Sequence, residues 1–163
     1  MIRPANLADA RAIASIYNQA IEERQSTFET RLRSPEDFLA PIADGQLLLI
    51  CEDDAGRVRG WARLSAYSPR DCYSGVGEAS VYVDRTVRGR GLGRALFDAL
   101  AEEAGTRSYW KLIGLLFATN VASLALCRAV GCREVGVLHR HRRLDGQWRD
   151  VTIVEKLIGE AAN

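Results

Sequence analysis

Hydrophobic positions near the start of the chain recur at helical spacing. Between residues 7 and 23 the apolar side chains lie three or four positions apart, which predicts an amphipathic helix with one buried face: Ile13, Ile16, Tyr17, Ala20 and Ile21. Asn6 stands where a capping residue is favoured, and Asp9 follows in the first turn. Ser34 and Pro35 predict a second helix, with Ser34 as its cap and Pro35 as its first residue.

The other apolar segments are mostly short and bounded by turn residues, which is typical of strands. Strands are predicted at residues 1–4, 47–51, 58–67, 78–83, 110–117, 133–144 and 148–157. Asp145 and Gly146 predict a hairpin turn between the last two. Further helices are predicted after Gly91 and after Asn120, the second ending at Gly131. The predicted order is β-α-α-β-β-β-α-β-α-β-β, followed by a frayed tail at 159–163.

Length and composition limit the classes of protein. The 163 residues suffice for one domain with a full core, so residues 1–163 are expected to form one domain. The hydrophobic fraction of 47%, the charged fraction of 26% and the net charge of +1 argue against a general attraction to nucleic acid or acidic membranes. Because no apolar run approaches the roughly 20 residues of a membrane helix and no secretion signal is present, we expect a cytoplasmic protein.

Two clusters of reactive or charged residues need separate interpretation. The four cysteines include no Cys-x-x-Cys pair and the two histidines lie far from Cys51 and Cys72, so neither a disulfide framework nor a metal site is predicted. The basic run at residues 139–143 would by itself suggest nucleic-acid binding. With a net charge of only +1, an exposed strand face is favoured instead.

A basic, glycine-rich turn at residues 88–94 lies between a predicted strand and a predicted helix. Glycine lets a ligand approach the backbone, and the first helical turn offers unpaired N–H groups with a partial positive charge. The spacing lacks the third glycine of a dinucleotide-binding loop and the Gly-Lys-Ser/Thr of a P-loop. Arg88, Arg90 and Arg94 strengthen the prediction of a pyrophosphate site, the alternative being a connection that binds nothing.

The spacing Arg88-x-x-Gly91-x-Gly93 resembles the coenzyme A pyrophosphate loop of the GCN5-related N-acetyltransferases, the GNAT family. The predicted element order is similar to that family over essentially the whole chain. Further motifs resemble the phosphinothricin, arsinothricin and methionine sulfoximine N-acetyltransferases: Ile16-Tyr17-Asn18, Thr27-Phe28-Glu29, residues 77–83, residues 120–124 and residues 145–151. The resemblance implies an α/β (α+β) fold with a mixed, mostly antiparallel sheet of about seven strands flanked by four helices. It also implies acetyl-CoA as co-substrate and a homodimer.

The resemblance assigns the residues that would bind coenzyme A. In this family the strand at 78–83 splays from its neighbour, and backbone groups at Val81 and Val83 bind the pantetheine arm and the acetyl carbonyl. Asn120 and Ser123 are further coenzyme contacts, and Asn120 is also a helix cap. The pyrophosphate would lie against the loop formed by Arg88, Gly89, Arg90, Gly91, Leu92, Gly93 and Arg94.

Glu78 matches the general base of the family, acting directly or through water on the acceptor ammonium group. The alternative is a solvated carboxylate at a strand end. Cys127 stands where many relatives carry a Tyr or His near the coenzyme sulfur. A thiol on a helix face is more often a small core residue, so Cys127 is interpreted as packing rather than as a general acid.

The acceptor site is predicted in the loop before Glu78. Relatives often carry arginine there, whereas this chain has Ser74 and Ser68 at such positions, with Arg70 between them. Either Arg70 supplies the charge or the acceptor is less anionic, and an exposed loop arginine is the alternative. Phe28, Tyr67 and Tyr73 are candidate walls of the acceptor pocket or packing residues.

These observations favour an acetyl-CoA-dependent N-acetyltransferase that acts by direct transfer on the amino group of a small amino-acid-like acceptor. Two alternatives stay open. One is acetylation of a polyamine or of a peptide or protein N-terminus. The other is an acyl-CoA sensor without catalysis, against which the presence of Glu78 argues.

Overall fold

The computed structural model describes residues 1–162, which form one seven-stranded sheet and four α-helices. The strands are β1 Ile2–Pro4, β2 Leu48–Glu52, β3 Val58–Ala66, β4 Val76–Val83, β5 Lys111–Phe117, β6 Arg133–Leu144 and β7 Gln147–Leu157. The helices are α1 Ala10–Glu23, α2 Glu36–Ala43, α3 Leu92–Thr106 and α4 Val121–Ala129. Short 3-10 turns lie at Leu7–Asp9, Asp71–Tyr73, Arg85–Val87 and Gly159–Ala162.

The strands lie in the order β1-β2-β3-β4-β5-β7-β6. Only β4 and β5 run parallel, and they pair over just three residues each, 76–78 with 111–113. All other neighbours are antiparallel. The predicted fold class, a mixed and mostly antiparallel sheet of seven strands with four helices, is confirmed. The short parallel pairing leaves an opening in the middle of the sheet.

Each face of the sheet packs against different helices. Because side chains alternate along a strand, Ala62 and Leu64 of β3 face α3, where they meet Leu96 and Leu100. Trp61, the residue before Ala62, packs on the opposite face with α1 and α2. The same alternation divides β4: its odd-numbered side chains 79, 81 and 83 join the α3 core, and Tyr82 joins the other.

The ends of the first two helices test the capping predictions. Asn6 is confirmed as a cap: its Oδ1 accepts from the Ala8 N–H at 2.9 Å, and the Asp9 carboxylate accepts from the Asn6 N–H at 2.8 Å. The prediction for Ser34 is wrong, because its side chain makes no capping hydrogen bond to the helix backbone. Instead the Ser34 N–H donates to Asp37 Oδ2 at 2.8 Å, and α2 begins at Glu36.

Two predicted boundaries also need correction. The strand expected from residue 78 begins at Val76, because Val76 is buried and pairs with Lys111 of β5. The tail expected to fray from residue 159 forms a 3-10 turn, anchored by buried Ile158, whose N–H donates to the Trp110 carbonyl at 3.0 Å. Asn163 lies outside the described residues.

The β6–β7 hairpin is confirmed, with Asp145 at φ 49° and Gly146 at φ 77° forming its turn. The left-handed conformation at both positions is the one that suits the twist of a two-residue hairpin. Most side chains of β6 are exposed, as expected for the basic run. Trp148 is 50% exposed and stacks under Arg143, whose guanidinium carbon lies 4.5 Å from the ring centroid, so Trp148 is not a core residue.

Candidate active site

The gap between β4 and β5 exposes backbone groups of β4. The Asp84 N–H donates a hydrogen bond of 2.9 Å to the β3 side, and the Val76 carbonyl accepts one of 3.4 Å from that same side. The even-numbered residues of β4 therefore hydrogen-bond to β3. The odd-numbered residues then face β5, whose pairing ends after residue 78. Val81 therefore turns its N–H and C=O into the gap. The Val83 carbonyl faces the same way and accepts from Arg88 Nε at 3.0 Å.

A groove of about 410 Å³ runs from this gap along the start of α3. Gly89 and Gly91 line it with φ of 76° and 81°, a conformation that favours glycine. The first intrahelical hydrogen bond is from the Ala95 N–H to the Gly91 carbonyl at 3.0 Å, so the N–H groups of residues 92–94 are free of helical partners. An anion placed there meets three donors and the positive end of the helix dipole.

The three arginines of the turn have different surroundings. Arg88 lines the groove, but its Nη1 donates to Glu23 at 2.9 Å, so it holds the turn against α1. Arg94 lines the groove and is 64% exposed, with Asp98 at 3.6 Å. Arg90 does not line the groove and instead borders a separate depression beside Arg59. Backbone N–H groups therefore supply most of the directed donors for an anion.

Gly93 lies where α3 comes close to α4 and to the end of β4. A Cβ built at this position would lie 3.2 Å from Leu126 Cδ2 and 3.7 Å from Val83 Cγ2. The absence of a side chain thus allows α3 to approach α4 and the splayed end of β4. Leu92, at the start of α3, also lines the groove.

Asn120 joins the two sides of the opening. Its Oδ1 accepts from the Ser123 N–H at 3.1 Å and caps α4, as the sequence predicts. Its Nδ2 donates to the Gln25 carbonyl at 3.2 Å, which ties α4 to the loop after α1. Asn120, Ser123 and Val81 line both the groove and a second, larger cleft, so the two cavities meet at the gap.

The second cleft has a volume of about 480 Å³ and lies on the α1 and α2 side of the sheet. Glu78 lines it from β4, at the point where the parallel pairing with β5 ends. Phe28, predicted as an acceptor-site wall, does line the cleft and packs against Phe117 with ring centroids 4.6 Å apart. Arg142 of β6 lies over the Phe28 ring at 5.8 Å.

Several cleft residues escape the sequence analysis as site residues. Trp61 and Arg63 of β3 and Tyr17 of α1 line it beside Tyr82 of β4. The Tyr82 ring lies 4.7 Å from Trp61 and 4.9 Å from Tyr17, and burial raises the pKa of the Tyr82 phenol, which is neutral at physiological pH. The sequence does contain a signal for Arg63: it is a charged residue at the centre of the β3 strand, and alternation places it on the Trp61 face.

Four predicted acceptor residues lie elsewhere. Tyr67, Arg70, Tyr73 and Ser74 line neither cleft. The 3-10 turn Asp71–Tyr73 folds the loop onto itself, so the Tyr67 and Tyr73 rings make an edge contact at 5.5 Å and Arg70 lies 5.6 Å from the Tyr73 ring. These side chains form a partly exposed cluster of their own, and their role in acceptor binding stays a prediction.

Cys127 lines a narrow cavity of about 60 Å³ between the sheet, α3 and α4. Cys132 lies beside it, and interaction with the Cys132 thiol together with burial raises the pKa of Cys127. The Cys127 thiol is therefore protonated at physiological pH and packed among apolar neighbours. Across residues 1–162 no three His, Cys, Asp or Glu side chains cluster in a way that would hold a metal ion. No helix in the same range is long and apolar enough to cross a membrane.

Comparisons with known proteins agree with this geometry. Residues 13–132 match the model of the acetyltransferase (GNAT) family. The chain is 31% identical to an L-methionine sulfoximine/L-methionine sulfone acetyltransferase of Pseudomonas aeruginosa, covering 94% of this chain and 92% of the relative.

Two solved structures are also similar. One, described as a ribosomal-protein-alanine N-acetyltransferase from Brucella melitensis, has a TM-score of 0.91 and 34% identity, covering 97% of this chain and 99% of the other. The other is a phosphinothricin acetyltransferase from Sinorhizobium meliloti in complex with acetyl-CoA, with a TM-score of 0.91 and 27% identity, covering 98% and 89%. The resemblance stated from the sequence is confirmed.

Proposed function

This chain belongs to the acetyltransferase (GNAT) family, and we propose that it transfers the acetyl group of acetyl-CoA to the α-amino group of a small amino-acid-like acceptor. One observation carries the proposal: a groove suited to a pyrophosphate and a cleft that contains Glu78 meet at the gap beside Val81. A donor bound in the groove and an acceptor bound in the cleft would come into contact there. Direct transfer needs this proximity.

The groove fits coenzyme A through this chain's own donors. The free N–H groups of residues 92–94 would bind the pyrophosphate, with Gly89 and Gly91 allowing close approach. The extended pantetheine arm would hydrogen-bond to the Val81 backbone in the way that a neighbouring strand does. That side of β4 is open there because the pairing with β5 has ended. Asn120 and Ser123 would border the arm where the two cavities meet.

In the proposed reaction Glu78 takes a proton from the acceptor ammonium group, directly or through water. The free amine attacks the thioester carbon, and a new C–N bond forms. A backbone N–H such as that of Val81 stabilises the oxyanion of the tetrahedral intermediate. Collapse breaks the C–S bond, the new amide nitrogen loses its extra proton, and the departing thiolate takes up that proton, directly or through water. The raised pKa of Cys127 makes it a poor acid for that last step.

The proposed acceptors are phosphinothricin, arsinothricin and methionine sulfoximine or compounds like them, and the physiological role is detoxification of such analogues. Support comes from the names of the similar methionine sulfoximine and phosphinothricin acetyltransferases. The cleft suits a small polar molecule, since aromatic rings and charged groups line it together. A homodimer belongs to the same proposal, and light scattering on the purified protein measures it.

The test is the release of coenzyme A thiol from acetyl-CoA over a panel of acceptors, with the wild type beside Glu78→Gln. The amide keeps the shape of Glu78 but cannot accept the proton, so we expect kcat to fall by roughly 100-fold or more. Glu102→Gln, on the exposed side of α3 and in neither cleft, is the matched control. Equal rates for both variants would remove Glu78 from the mechanism.

The panel also separates the alternatives. The similarity to a structure described as a ribosomal-protein-alanine N-acetyltransferase favours including peptides with N-terminal alanine. Turnover on those peptides or on polyamines, with none on amino acids, would replace the proposed acceptor class. Tight binding of coenzyme A without turnover on any acceptor would identify a sensor.

A further inference from the structure

Arg63 places a positive charge in the cleft that we propose for the acceptor. Trp61, Arg63 and Ser65 lie on one face of β3, and the antiparallel register places them opposite Tyr82, Ser80 and Glu78 of β4 in that order. Arg63 is thus directly across from Ser80 and diagonal to Glu78, a relation in which side chains lie about 7–8 Å apart and long ones remain within reach. Both Arg63 and Glu78 line the cleft.

The Arg63 guanidinium lacks an internal counter-ion. Its Nε is buried and has no hydrogen-bond partner in the part of the chain that the structure describes, and no carboxylate of that part forms a salt bridge with it. Arg33, the cleft arginine contributed by the loop before α2, differs because it pairs with Glu29 at 2.9 Å. A half-buried cation without a partner is costly unless a ligand satisfies it.

We infer that Arg63 binds the α-carboxylate of the acceptor while Glu78 receives its ammonium group. This inference rests on the proposed function, whose base is Glu78. In an α-amino acid the two charged groups are attached to the same carbon. A cation and an anion on diagonal positions of adjacent strands therefore match the charge pattern of a free α-amino acid, with the planar guanidinium forming a fork to the carboxylate.

The pairing determines which acceptors are favoured. A free α-amino acid satisfies both charges, whereas its α-amide or a polyamine leaves Arg63 without a carboxylate. In a peptide the terminal carboxylate is further from the reacting amine by up to about 3.6 Å for each added residue. Arg63 thus selects single amino acids against N-terminal peptides, and it supplies the positive charge that the Arg70 loop does not bring to the cleft.

The test compares methionine sulfoximine with its α-carboxamide as acceptors for the wild type, Arg63→Met, Arg63→Lys and Arg107→Met. Methionine preserves the apolar stem of the arginine and removes its charge. We expect Arg63→Met to raise KM for the amino acid roughly 10- to 100-fold and to leave KM for the amide unchanged. Arg63→Lys should recover part of the loss, and Arg107→Met, at the exposed end of α3 and in neither cleft, should match the wild type.

Two further readouts exclude a purely structural effect. The Kd for coenzyme A should be the same in all four proteins, and the Tm of Arg63→Met should be no lower than that of the wild type, because no internal ion pair is lost. Equal loss on amino acid and amide, or a wild type that does not distinguish the two acceptors, overturns the inference while leaving acetyl transfer intact. If the wild type acetylates neither acceptor yet acetylates peptides or polyamines, the proposed acceptor class and the inference both fail.

Discussion

Substitution of Asn120 separates two contacts that one side chain makes at the junction of the clefts. Asn120→Ala removes both the cap to Ser123 and the hydrogen bond to the Gln25 carbonyl. Asn120→Ser keeps a capping oxygen, since serine is among the favoured N-cap residues, but its short side chain does not reach the loop after α1. The pair of variants therefore distinguishes the stability of α4 from the positioning of the loop.

The expected magnitudes follow from these contacts. Loss of the cap costs about 1 kcal/mol of unfolding free energy, and the exposed bond to Gln25 contributes about 0.5 kcal/mol. For a chain of this length about 1 kcal/mol corresponds to roughly 2–4 °C in Tm. Asn120→Ala should thus lower Tm by about 3–6 °C, and Asn120→Ser by about 1–2 °C.

Binding of coenzyme A should respond differently from stability. Gln25 and Ser26 line the groove, and Asn120 is what ties their loop to α4. Both variants should therefore weaken coenzyme A binding by a similar factor, about two- to tenfold, in isothermal titration calorimetry. Urea unfolding supplies the stability scale. If Asn120→Ser binds coenzyme A as tightly as the wild type while Asn120→Ala does not, the link to Gln25 has no role in forming the groove.

Two more predictions concern buried groups. Burial opposes ionisation of Asp9, but hydrogen bonds from Arg3 and the Asn6 N–H outweigh it and lower the pKa of this carboxyl. The ionised Asp9 therefore contributes its full stabilisation above the unfolded pKa of about 3.9. That stabilisation is lost as the pH falls through the lower folded pKa. Asp9→Asn should cost about 3 kcal/mol at pH 7 and flatten the acid limb of stability in urea unfolding at pH 2–7; an unchanged limb contradicts this. Cys127→Ala should leave kcat within a few fold of the wild type, because the thiol is packed beside Cys132 and stays protonated; a large loss of rate at unchanged Tm would make Cys127 a participant.

The groove that we propose for coenzyme A follows from the sequence because its parts are local. The glycines, the helix start and the strand before them are contiguous, so the geometry of residues 88–94 is set within one strand-turn-helix unit. The cap at Asn120 and the turn at Asp145 and Gly146 are predictable for the same reason. Arg90 is the exception: the sequence gives its charge, but the direction of its side chain depends on how the turn meets β3.

The cleft that we propose for the acceptor is harder to predict, because residues from many separate segments line it. Phe28 comes from the loop after α1, Arg63 from β3, Glu78 from β4, Phe117 from β5 and Arg142 from β6. The family resemblance favours the loop at residues 67–74, just before Glu78, as the acceptor site, and this stays a prediction. In the structure that loop closes on itself through aromatic contacts within a few residues.

Strand register therefore determines the chemistry of the cleft more than any motif does. A one-residue shift between β3 and β4 would turn Arg63 away from the Glu78 face and expose Leu64 to the cleft in its place. Trp61 prevents such a shift, since it is 1% exposed and packs tightly against the α1 side of the sheet. The apolar core on that side thus fixes the position of Arg63, whose charge no group in the core neutralises. Such an arrangement is expected where a ligand, rather than the fold, completes the charge balance.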